Sequence, residues 1–170
     1  QVVSNLLSLS RKEKKDEFEL LSINETILNA LTLVNHEIKN HSIEIQLDLE
    51  EDLPEIMASK NHLQGVWINM IVNSIDSMDR PDGKISISTR YRKNEFRVVI
   101  ADNGRGIPQE HLSRVFEPFF TTKVAGRGTG LGLSVCYRVI KEHQGTIQVE
   151  SQPGSGTRFT VSLPNLVRRA

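Results

Sequence analysis

The chain has 170 residues, 38% of them hydrophobic and 25% charged, a length and balance that fit one globular domain with its own core. Its 21 basic residues equal its 21 acidic ones, which excludes the basic surplus of a nucleic-acid binder and an acidic tail. No apolar run approaches the roughly 18–20 residues that span a bilayer, and no signal peptide is visible.

Val2, Val3, Leu6, Leu7 and Leu9 form a short amphipathic pattern cut by the charged run RKEKKDE, Arg11 to Glu17. It reads as a helix end and a linker. The chain opens on Gln1 instead of methionine, as expected of a piece of something longer. Asn24 is placed to N-cap a helix whose apolar face is Ile27, Leu31, Val34 and Ile38. SIEIQLDLE, Ser42 to Glu50, alternates as a strand. Leu63, Val66, Trp67, Met70, Ile71, Ile75 and Met78 share one side of a long helix, closed by the turn Pro81 to Gly83. KISISTRYR and EFRVVIADN predict an antiparallel pair turning at Lys93-Asn94, and Leu131 to His143 predicts a further helix. TIQVES and TRFTVSL form a hairpin around Pro153 to Gly156. Cys136, the single cysteine, lies in an apolar run and reads as a buried small hydrophobe in a reducing compartment. Antiparallel pairs without regular strand-helix alternation predict an α+β fold, helices layered on one face of a mixed sheet.

Three stretches carry chemistry. GRGTGLGLSV, following FEPFFTTKVA, places glycines at 126, 128, 130 and 132. Glycine weakens a helix or strand interior by roughly 0.5–1 kcal/mol relative to alanine, so such a run is a poor structural connector. No Gly-Lys-Ser/Thr follows and no strand leads directly into it, which rules out a Walker loop and a dinucleotide fingerprint. What remains is a glycine-rich turn opening a helix, whose free N–H groups and positive dipole end suit an anion; the alternative is a flexible surface loop. DNGRGIP, Asp102 to Pro108, ends an apolar strand. Its carboxylate can accept a hydrogen bond from an exocyclic amine while Gly104 and Gly106 admit a ring, although a plain Asp-Asn-Gly turn reads equally from these residues. In HLQGVWINMIVNSIDSM, Asn69 and Asn73 sit one helical turn apart. Asparagine is disfavoured in mid-helix, and its carbonyl is a hard ligand for Mg2+; the other reading is a pair of helix-surface asparagines.

In this order, WINMIVNSIDSM, DNGRGIP, VFEPFFTTK and GRGTGLGLSV, followed by GSGTRFTVSLP, resemble the N, G1, F and G2 boxes and closing strand of the ATP-binding catalytic domain of sensor histidine kinases, over about residues 20 to 164. The resemblance implies a two-layer α/β sandwich, a mixed, mostly antiparallel sheet packed on one face by about three helices. Residues 1–17 would end a dimerisation helix and linker, and 18–170 would be the ATP-binding domain, with a lid over about 104–128 whose mobile part runs from Gln109 to Gly128. Asp102 would bind the adenine amino group, with Gly104, Gly106 and Ile107 shaping that end. Asn73 would be the Mg2+ ligand, with Asn69 close to the phosphates. Gly128, Thr129, Gly130, Leu131 and Gly132 would cradle the phosphates, Lys123 and Arg127 would add charge, and Thr157 would complete the cofactor site. The phenylalanines of the F box would tether the lid.

Where many members of that family carry Lys-Tyr, this chain has Asp76 and Ser77, which shifts the positive charge onto Lys123 and Arg127. Hydrolysing relatives of the superfamily, such as gyrase, place a glutamate four residues before the metal-binding asparagine as general base. Here that position is Asn69, which cannot take a proton, so transfer to another nucleophile is expected. The segment HEIKN, His36 to Asn40, mimics the family's phosphoacceptor box, but His41 replaces its proline and the segment lies 33 residues before Asn69. It reads as a surface histidine. The resemblance then implies an acceptor histidine upstream, a response-regulator receiver domain as partner, no nucleic acid, a monomeric fragment of a homodimeric parent, and a cytoplasmic location whether or not the parent is membrane-anchored.

Overall fold

The computed structural model describes residues 17–123 and 128–167; all but Glu17 of the expected helix end and linker at 1–17, and the sites Gly126 and Arg127, lie outside them. The described elements are β1 (Glu19–Leu21), α1 (Ile23–Asn40), β2 (Glu44–Leu49), β3 (Ile56–Ala58), α2 (Lys60–Asp76), β4 (Lys84–Arg92), β5 (Glu95–Asp102), a one-turn α3 (Gln109–Leu112), α4 (Gly132–Glu142), β6 (Thr146–Gln152) and β7 (Gly156–Pro164). Five strands form one sheet in the order β2-β4-β5-β7-β6, parallel only between β2 and β4, while β1 and β3 pair separately. Neither short strand is predicted from sequence, because three residues each are too few to display alternation.

Period-two patterning decides which face of the sheet is dry. Ile85 and Ile87 on β4, Val98 and Ile100 on β5, and Phe159, Val161 and Leu163 on β7 are all buried, and the residues between them face outward. Against this face lie Ile27, Ala30 and Val34 of α1, Leu63, Trp67, Met70 and Ile71 of α2, and Cys136 and Ile140 of α4. Trp67 is fully buried and donates its indole N–H to Thr26 Oγ1 at 2.9 Å, and Thr26 in turn donates to Ile23 O at 2.7 Å, so the polar tip of the largest core residue is satisfied.

The N-cap of α1 is Ser22, whose hydroxyl accepts from Glu25 N–H, and not Asn24. Asn24 stands inside the first turn, where its amide donates to Glu50 O at 2.9 Å and accepts from Thr89 Oγ1 at 2.9 Å. Both residue types cap well; the long-range partners decide the difference. The turn at Lys93-Asn94 forms as expected, with φ of 52° and 64°, the backbone a two-residue hairpin requires. His36 is exposed on α1 and Cys136 is buried, both as the sequence predicts. No helix among the described residues is long and apolar enough to cross a membrane.

Candidate functional site

A cleft of about 450 Å³ opens between α2, the end of β5 and the residues leading into α4, within the size range of small-ligand sites. Its walls collect Asn69, Asn73, Asp102, Gly106, Ile107, Lys123, Gly128, Thr129, Gly130, Gly132 and Thr157, residues spread over 89 positions of sequence (69 to 157). Two of the expected residues do not line it. Gly104 sits behind Asp102, where a Cβ would fall 2.3 Å from Ser77 Oγ, so it positions the carboxylate and does not face the cleft. Leu131 is the backbone N-cap of α4.

Asp102 ends β5 and is fixed from three sides. Its Oδ1 accepts from Gly104 N–H at 2.9 Å and from Ser77 Oγ at 3.3 Å, with Ser74 buried beside it, its hydroxyl lacking a hydrogen bond of ordinary geometry. Burial pushes the Asp102 carboxyl above its ordinary value, and these donors offset the shift only in part. A half-buried carboxylate at the wall of a cleft is the kind of group that recognises a ligand N–H. The adjoining turn is shaped by Gly106, at φ 74°, where a Cβ would lie 2.2 Å from Gln152 O; no other residue fits there. Ile107 N–H then donates to Ser151 Oγ at 2.7 Å, and Ser151 Oγ lies 2.9 Å from Thr157 Oγ1.

At the other end, α4 begins at Gly132 without a side-chain cap, leaving its first N–H groups for a ligand. Gly130 has φ 68°, its carbonyl accepts from Phe119 N–H at 2.8 Å, and a Cβ would lie 2.4 Å from Phe119 C. Asn69 faces this helix start: a Cβ on Gly132 would be 3.7 Å from its Oδ1. Asn73 is one turn further along α2 and also lines the cleft. Among the described residues no group of three His, Cys, Asp or Glu could hold a metal; an amide carbonyl such as that of Asn73 suits an ion that keeps waters and ligand phosphates as its other ligands, the usual habit of Mg2+.

The phenylalanines divide the tethering unequally. Phe116 packs on Tyr137 and Phe159 at centroid distances of 5.7 and 6.4 Å, Phe120 lines the cleft beneath the Arg114 guanidinium at 4.7 Å, and Phe119 is 74% exposed. The segment from Gln109 is also better anchored than its composition predicts, since α3 forms and Val115 is buried. Sequence reasoning missed Val72, Asp76, Ser77, Arg105, Thr121 and Leu133 as cleft residues. Asp76 and Ser77 were legible as neighbours of Asn73 on one helix face; the others are set by packing.

The profile described as "Histidine kinase-, DNA gyrase B-, and HSP90-like ATPase" matches residues 58–166. The chain is 38% identical over 165 residues to Sporulation kinase E of Bacillus subtilis, covering 96% of this chain and 22% of that protein. It is 35% identical over 170 residues to Sensor histidine kinase ZraS of Escherichia coli K12, covering 99% and 36%. The chain thus spans between about a fifth and a little over a third of the length of these curated relatives. The nucleotide-free catalytic domain of histidine kinase ThkA superposes with a TM-score of 0.78 at 31% identity, over 88% of this chain and 96% of that one. Histidine kinase ThkA in complex with response regulator TrrA gives 0.77 at 29%, over 96% and 46%.

Proposed function

Because the chain belongs to the family of histidine kinase-, DNA gyrase B- and HSP90-like ATPases, and within it to the ATP-binding catalytic domains of sensor histidine kinases, we propose that it binds ATP in the cleft and passes the γ-phosphoryl group to a histidine on a dimerisation domain, for relay to a response regulator. What supports this reading most is the half-buried Asp102 carboxylate on the same cleft as Asn73 and the uncapped start of α4. In this reading one end of the cleft takes the base and the other the phosphates.

In this reading Asp102 accepts the adenine amino N–H and Ile107 covers the ring. Asn73 holds Mg2+, which supplies charge neutralisation to the phosphates. Gly130, Gly132 and their neighbours donate backbone N–H groups, and Lys123 adds positive charge. The bond from the γ-phosphorus to its bridging oxygen breaks, a bond to the imidazole nitrogen forms, ADP leaves, and the imidazole proton passes to solvent. This chemistry depends chiefly on positioning and charge. Asn69 disfavours hydrolysis, since an amide cannot deprotonate water.

The test is incubation with γ-labelled ATP and Mg2+, alone and with a separately made dimerisation domain of the parent. Acid-labile label is expected on the added domain only. Label on this chain alone, lost on His36→Ala, would make His36 the acceptor and overturn the reading that the acceptor histidine lies on a separate domain.

A further inference from the structure

Asp76 follows Asn73 by one turn of α2 and lines the same cleft, and its carboxylate forms an ion pair with Lys123. The pair is well set. The Lys123 side chain is 25% exposed, its stem lies where a Cβ on Gly128 would meet it at 2.9 Å, and the Lys123 backbone N–H donates to Thr121 Oγ1 at 3.1 Å. Lys123, a cation lining the same cleft as the uncapped start of α4, is therefore already paired with a carboxylate of α2 that lines the cleft as well.

We propose that Asp76 is a specificity-determining residue that competes with the nucleotide polyphosphate for Lys123. Resting on the nucleotide reading of the cleft, this assigns Asp76 an effect on phosphate binding without an effect on base binding. A polyphosphate entering the anion end must draw Lys123 from Asp76 and tolerate the carboxylate left behind, so its affinity is discounted by the strength of the pair. Adenosine, which has no phosphate, meets neither charge. The ion pair of Asp76 goes to Lys123, whereas the Asp102 carboxylate is held by Ser77 and Gly104.

Calorimetric titration of ATP, ADP and adenosine into the wild type, Asp76→Asn, Lys123→Met and the double variant separates the outcomes. Asp76→Asn is expected to tighten ATP and ADP about two- to fivefold, the scale of a partly exposed ion pair, and to leave adenosine unchanged, which also reports an intact fold. In the Lys123→Met background the same substitution is expected to have no effect. Unchanged ATP affinity in Asp76→Asn overturns the proposal, and so does equal tightening with and without Lys123, which would make Asp76 a simple repulsive charge. Weakening seen only with Mg2+ would make it a metal ligand instead. A wild type that binds neither ATP nor adenosine would overturn the nucleotide reading itself, a distinct result.

Discussion

Ser77 Oγ stands 3.3 Å from Asp102 Oδ1 and 2.9 Å from Ser74 O, so the C-terminal end of α2 and the last residue of β5 are joined at a half-buried carboxylate of the cleft. The carboxyl is held above its ordinary value of 3.8 by burial. For an acid shifted upward, the folded state binds the proton more tightly than the unfolded chain, so this group's contribution to stability is greatest below about pH 3.8 and declines as pH rises through its folded value. Asp102→Asn keeps an acceptor for Gly104 N–H and removes the half-buried charge. It is expected to unfold at the same or higher urea concentration than the wild type at pH 7, with the advantage vanishing at acid pH, while ATP affinity falls at least tenfold, the scale of a charge-assisted hydrogen bond of about 1.5–3 kcal/mol. Undiminished ATP binding by calorimetry would refute the role of Asp102.

Asn73→Ala separates metal from base. The side chain lines the cleft one turn from Asn69, and its carbonyl is assigned to Mg2+. Nucleotide affinity is expected to fall strongly with Mg2+ present and little with a chelator. Equal losses in both buffers would show that Asn73 touches the nucleotide directly or shapes the wall.

Gly130→Ala tests the anion end. A Cβ at φ 68° would lie 2.4 Å from Phe119 C, and that neighbour is backbone held by its own hydrogen bond to Gly130 O. The substituted chain must reshape the entry to α4. ATP binding is expected to drop well beyond the loss for adenosine, with the core unfolding transition unmoved because Cys136 and Ile140 pack further along the helix. Parallel loss of both ligands would place the glycine's importance elsewhere.

His143 supplies a pH-dependent element outside the cleft. It is buried at the end of α4, with Nδ1–H donating to Val139 O at 2.7 Å and Nε2 accepting from Ser59 N–H at 3.1 Å, an arrangement only the neutral ring satisfies. Phe18 stacks on it at 4.7 Å. Burial lowers its basicity from the ordinary 6.5; the Val139 carbonyl and Glu142 oppose the shift, and His62 adds to it. A base shifted downward leaves the unfolded chain holding more protons, so stability is full above about pH 6.5 and falls as pH drops toward the folded value. The urea midpoint of the wild type is expected to decline between pH 7.5 and 5.5, and His143→Gln to lose most of that slope. An unchanged slope would assign it to other groups.

Much of this protein was legible in sequence because the signals are local. Alternation in Lys84 to Arg92 and Glu95 to Asp102, the three-four spacing of Ile27, Val34 and Ile38, and the turn at Lys93-Asn94 each follow from side-chain period or backbone tolerance within a few residues. Asn73 and Gly130 stood out for the same reason, as residue types unfavourable in their elements unless a ligand or a tight turn requires them, whereas Asp102 stood out only through the motif resemblance.

Tertiary structure decided what depends on partners far along the chain. Ser22 and Asn24 both have capping side chains, and contacts to Glu50 and Thr89 removed Asn24 from the cap. The parallel pairing of β2 with β4, the β1-β3 ladder, the turning of Gly104 toward Ser77, the His143 to Ser59 bond across 84 positions and the Asp76-Lys123 pair across 47 leave no periodic trace in sequence. A single side chain can hydrogen-bond or pair with any complementary group that packing brings within about 3 Å, and only the closed core says which group that is.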